Sequence, residues 1–145
     1  MRTDPSVLDL VRLSPDPVFP PGGEALYRQI ALLTELKPDA EVLDVACGRG
    51  ITTTYLASTF GAGAAGVDVD PHLIMDAEAR ARSLGLEVKV TFQMAPLDDL
   101  PYHDDVFDVS IGEVALAAEF DPAAAIRELA RVTKPYGAVV LVQLV

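Results

Sequence analysis

The sequence predicts an α/β fold, a doubly wound parallel sheet with helices covering both faces. Short apolar runs alternate with segments of helical periodicity along most of the chain. Two of those segments open with Asp-Pro, at Asp70-Pro71 and Asp121-Pro122, where aspartate caps free N–H groups and proline fits the first helical position. The first apolar run ends in the glycine turn "ACGRG" just ahead of a helix. Crossovers between the strands are expected to be right-handed.

In chain order, residues 1–21 carry the apolar stretch "VLDLVRL" and then Pro15, Pro17, Pro20 and Pro21, a density that makes an extended connector. Residues 22–145 form the core of a single domain. "GGEALYRQIALLTEL" spaces Leu26, Ile30, Leu33 and Leu36 as an amphipathic helix that ends at Lys37-Pro38-Asp39. "EVLDVA" reads as a strand, "ITTTYLASTF" as a helix stopped by Gly61 and Gly63, and "AAGVDV" as a second strand. The helix opened by Asp70 runs through "HLIMDAEARARSL" to Gly85. "EVKVTF" alternates as a third strand and "VFDVSI" supplies a fourth. "AAAIRELARV" forms a helix, and "KPYG" turns into the apolar run "AVVLVQLV".

The 145 residues suffice for one domain with its own core, and half of them are hydrophobic. The N-terminus offers no secretory h-region, and no segment approaches the ~20 apolar residues of a membrane span. Cys47 is the single cysteine, which excludes an internal disulfide and any multi-cysteine metal site. A reducing, cytoplasmic location is the expectation. The formal net charge of −11 disfavours nucleic acid as a partner and favours a neutral or cationic small molecule. Arg80 with Arg82, and Arg127 with Arg131, read as solvated helix faces.

The glycine turn decides between ligands. A dinucleotide fingerprint needs a small third residue beside Gly48 and Gly50, and Thr53 stands there. A phosphate loop needs a lysine after the glycines, and none follows. Asp44 ends the first strand, where a carboxylate repels phosphate and attracts a cation. Ligands of open α/β sheets gather at these carboxyl ends of the strands. A cationic ligand without phosphate fits, and S-adenosylmethionine, with its sulfonium and α-amino group, is one.

"VLDVACGRG" resembles motif I of class I S-adenosylmethionine-dependent methyltransferases. "GVDVDP", "LDDLPYHDDVFDVSI" and "ELARVTKPYGAVVLV" resemble the family's following segments, in its order, across about residues 40–145. The resemblance is to the group that methylates small molecules, so it implies methyl transfer by in-line displacement to a small-molecule acceptor. It implies a Rossmann-like sheet of order 3-2-1-4-5. It implies that Asp44 meets the amino end of the cofactor and that Ala46, Cys47, Gly48 and Gly50 line its methionine and ribose portions. Asp68 accepts both ribose hydroxyls, Val69 lies against adenine, Leu97 gives its N–H to the ring, and Gly112 adjoins the site by its carbonyl. Pro96 stands where the family often has a polar acceptor for the adenine amino group, so Asp98 is the replacement expected. Tyr136 replaces a common glycine in "KPYG", with no function assigned.

Candidates for catalysis are Glu113, at the end of the fourth strand, and Tyr27, if the N-terminal helix acts as a lid; their plainer readings are a solvated loop residue and a core aromatic. Arg49 reads as solvated, Cys47 as packing, His103 as exposed and His72 as structural, and no metal site is expected. The chain stops at Val145 within the fifth strand, and the family's last antiparallel strand pair is expected to be absent. That leaves three readings: a chain cut short, a short module that forms a homodimer through the strand 5 edge, or part of a longer protein. An S-adenosylmethionine or S-adenosylhomocysteine-binding module without its own catalysis is the alternative function. A nicotinamide-dependent oxidoreductase is disfavoured by Thr53 and Asp44.

Overall fold

The computed structural model describes residues 23–113 and 121–142, with Glu113 as backbone only. The connector expected in residues 1–21, the side chain of Glu113 and residues 143–145 lie outside the described residues. In chain order the elements are α1 (Gly23–Leu33), β1 (Glu41–Val45), α2 (Ile51–Phe60), β2 (Gly63–Asp68), α3 (Pro71–Ser83), β3 (Val90–Met94), β4 (Phe107–Glu113), α4 (Pro122–Val132) and β5 (Thr133–Val142). The strands form one sheet of order β3-β2-β1-β4-β5 with every pairing parallel. The fold class and strand order are those expected.

Strand alternation places two cores on the two faces. Val42 of β1 joins Tyr27, Ile30, Leu56, Val109 and Ile111 beneath α1 and α2. Leu43 and Val45 face the other way, toward Leu129 and Val132 of α4 and toward Leu97 and Leu100 of the β3–β4 connection. Phe107 belongs to this second core although Val109 belongs to the first, and a register shift separates the two residues. Asp70 caps α3 by accepting from the His72 and Leu73 amides at 2.9 and 3.4 Å. Asp121 caps α4 through the Ala123 amide at 3.1 Å.

Two boundaries differ from expectation. The third strand begins at Val90 instead of Glu87, because the Lys89 and Val90 amides both donate to the Leu86 carbonyl and close a turn that leaves Val88 exposed. "KPYG" is not a separate connection. Thr133 pairs with Phe107 and Ala138 with Val109, so Lys134–Pro135–Tyr136–Gly137 bulges out of β5. Tyr136 takes a left-handed φ of 67° in that bulge.

Candidate cofactor site

Pairing registers bring the predicted residues together. Val45 sits between Val67 of β2 and Gly112 of β4, so Ala46, Asp68 and the end of β4 share one rim of the sheet. Strand order reverses between β1 and β4, the topological switch point where open α/β sheets bind ligands. Leu97 and Asp98 follow β3 on the same side; Leu97 is buried and Asp98 exposed.

The chain leaves β1 by a left-handed turn. Ala46, Gly48 and Gly50 have φ of 62°, 55° and 76°. Gly50 is the N-cap of α2 and supplies no side-chain cap, so the first amides of that helix depend on partners other than a capping side chain. The turn is held by Cys47 N–H to Val67 O and Gly50 N–H to Cys47 O, both at 3.0 Å. Gly66 lets Phe92 and the Cys47 sulfur come close; a β-carbon there would lie 2.6 Å from Phe92 and 2.9 Å from Sγ.

Both site carboxylates are buried and engaged. Asp44, 3% exposed, accepts from the Thr53 hydroxyl at 2.8 Å through Oδ2. Asp68 has no exposed surface; Oδ2 accepts from the Gly48 amide at 2.9 Å and Oδ1 from the Asp70 amide at 3.1 Å. Asp68 therefore ties the end of β2 to the glycine turn. A carboxylate has about four acceptor positions, so an oxygen that accepts from an amide can also accept from a hydroxyl.

Several residues differ from their sequence reading. Arg131 is no solvated arginine. Its guanidinium donates to the Leu100 carbonyl (3.1 Å), the Tyr102 carbonyl (2.8 Å), Asp104 (2.9 Å) and Glu128, and Glu128 accepts from the Leu100 amide at 2.9 Å. One Arg–Glu pair on α4 thus anchors the β3–β4 connection. Hydrogen bonding from Arg131 holds the Glu128 carboxyl below its ordinary range, and Glu128 raises Arg131 in turn. Arg80 donates to the Thr54 hydroxyl at 3.1 Å, and Arg49 lies 3.6 Å from Asp76, so neither is merely solvated. Tyr102 stacks edge-on against Phe107, and burial, with the neighbouring Cys47, pushes its pKa up to about 12. Periodicity assigned Arg131 to a helix face but carried no sign of the loop that covers it.

Tyr27 is fully buried with Val42 and Leu56 in the core beneath α1 and α2. His103 and His72 are exposed, and among the described residues no cluster of His, Cys, Asp or Glu is placed to hold a metal. No described helix is long and apolar enough to cross a membrane. A cleft of about 480 Å³ lies at the opposite, amino-terminal ends of β1, β4 and β5, lined by Lys37, Asp39, Asp108, Lys134 and Tyr136. Its charges are already engaged in part: Asp108 accepts from Lys134 at 3.2 Å and from the Glu41 amide at 2.8 Å, the latter chiefly lowering its pKa.

Residues 36–145 match the family described as a methyltransferase domain. The chain belongs to the class I S-adenosylmethionine-dependent methyltransferases. Methyltransferase GfsG of Streptomyces halstedii is 34% identical to this methyltransferase-family chain over 85% of the chain and 44% of GfsG. The solved [4+2]-cyclase SpnF superposes with a TM-score of 0.74 at 31% identity, covering 81% of this chain and 43% of SpnF. Geranyl diphosphate methyltransferase, solved in complex with SAM, shares the fold at a TM-score of 0.72 and 22% identity, covering 81% and 48% of the two chains. The methyltransferase-family chain spans 47% and 44% of the length of the first two curated relatives it matches and 24–45% of five others.

Proposed function

We propose that the chain binds S-adenosylmethionine at the carboxyl ends of β1, β2 and β4 and serves the transfer of its methyl group to a small-molecule acceptor, leaving S-adenosylhomocysteine. The observation that carries this reading is the pair of buried carboxylates, Asp44 and Asp68, set around a left-handed glycine turn with no lysine in it. That pair of acceptors suits a cation bearing a ribose and is repulsive to a pyrophosphate. Asp44 would attract the α-amino end and Asp68 would accept the ribose hydroxyls. Ala46, Cys47, Gly48 and Gly50 would line the methionine and ribose portions, Val69 and Leu97 the adenine, Asp98 its amino group, and Gly112 would adjoin the reacting end. Since Asp68 has no exposed surface, ribose binding requires local opening at this rim.

When bound, the cofactor supplies a methyl group that leaves sulfur in line as the acceptor's lone pair forms the new bond. The protein's task is alignment, which contributes on the order of 7–11 kcal/mol in well-oriented systems. A base is needed only for an acceptor that must lose a proton. Glu113, which ends β4, would be the residue to take that role. A second reading is a module that binds S-adenosylmethionine or S-adenosylhomocysteine without methyl transfer of its own. The 31% identity to a solved [4+2]-cyclase favours keeping it, because one fold hosts several chemistries.

Calorimetric titration with S-adenosylmethionine and S-adenosylhomocysteine tests the site. Asp68→Ala should weaken binding by about 1–3 kcal/mol, the loss expected for charge-assisted hydrogen bonds. Undiminished binding by a folded Asp68→Ala chain would remove the ribose assignment. Turnover with candidate acceptors then separates the two readings.

A further inference from the structure

We propose that Thr53 is a positioning and specificity-determining residue: its hydroxyl orients the Asp44 carboxylate toward the amino-acid end of the ligand. The proposal rests on the cofactor reading above and deepens it. Three consecutive threonines, Thr52, Thr53 and Thr54, occupy the first turn of α2, and all three are buried. A helical threonine by default bonds back to a carbonyl of the preceding turn. Thr54 does this, donating to the Gly50 and Ile51 carbonyls at 2.6 and 3.2 Å. Thr53 departs from that default. Its hydroxyl crosses to β1 and donates to Asp44 Oδ2 at 2.8 Å, between residues 0% and 3% exposed.

The bond constrains the carboxylate without neutralising it, since a hydroxyl brings no charge. Val42, the neighbour of Asp44 on the same face of β1, is core. The carboxylate thus sits at the boundary between the hydrophobic layer and the glycine turn, and the Thr53 hydroxyl fixes its Oδ2 there. A small residue at this position, as dinucleotide folds use, provides no such donor. The side chain that obstructs a pyrophosphate is therefore the one that prepares the site for an ammonium group.

The test compares two ligands on the intact chain by calorimetry: S-adenosylhomocysteine, which carries the amino acid, and 5′-methylthioadenosine, which lacks it. Thr53→Val, nearly isosteric, should weaken S-adenosylhomocysteine roughly tenfold while methylthioadenosine changes by less than about twofold, the loss of one charge-assisted hydrogen bond acting at one end of the ligand. Thr53→Ser should restore the tight value. On an Asp44→Asn background the Thr53→Val effect should vanish, as expected for two residues acting as one unit. If valine does not fold here, Thr53→Ala serves in its place. Equal weakening of both ligands would assign Thr53 to packing and overturn the proposal, as would unchanged binding of both or full multiplication of the two losses. A wild-type chain that binds neither ligand would overturn the cofactor reading itself, and the proposal with it.

Discussion

At Gly50 two constraints meet on one α-carbon. Its φ is 76°, and a β-carbon there would lie 2.7 Å from the Phe92 ring and 3.1 Å from Ala77. Gly50→Ala should cost about 2–4 kcal/mol, combining left-handed strain with overpacking, and a lowered urea midpoint at unchanged slope would show it. The glycine pair, Asp44 and Asp68 were legible in the sequence because motif spacing fixes backbone geometry. What the carboxylates bond to was not. Thr53 reaches Asp44 across the gap between α2 and β1, and Asp68 reaches Gly48 across 20 residues. Such contacts depend on how elements dock, which a linear pattern does not encode. Ala46 was likewise read as a lining residue, and nothing local marked its left-handed conformation.

Among the elements, α4 does more than cover the sheet. Its Glu128–Arg131 pair holds the connection that carries Leu97 and Asp98, and that pairing has a pH signature. The folded-state pKa of Glu128 lies below its ordinary value, near 4.3 in an unfolded chain. Its contribution to stability is therefore present above that value and is lost as pH falls through the lower, folded value. Glu128→Gln should flatten the acid side of the stability profile and cost about 1 kcal/mol at neutral pH. Urea unfolding at stepped pH measures both, and an acid slope identical to wild type would refute the assignment. The starts of α3 and α4 were legible because Asp-Pro is an unambiguous cap. The start of β3 was not, since alternating "EVKV" satisfies a strand pattern while its first residues close a turn on Leu86.

For the whole molecule, strand order followed from the family resemblance and the parallel pairing from the alternation of elements. β5 ends the described sheet, with Val139 and Leu141 39% and 44% exposed. The reversal of strand order at β1 has a further consequence, in time. β1, β2 and β3 assemble from successive segments, but β4 must return to the far edge of β1, and the Glu41–Asp108 bond that marks its arrival closes a separation of 67 residues. Such long closures are the slow part of folding. The rim between β1 and β4 therefore depends on the longest of the strand closures, and Phe107, Val109 and Ile111 complete the two cores only when β4 returns to β1.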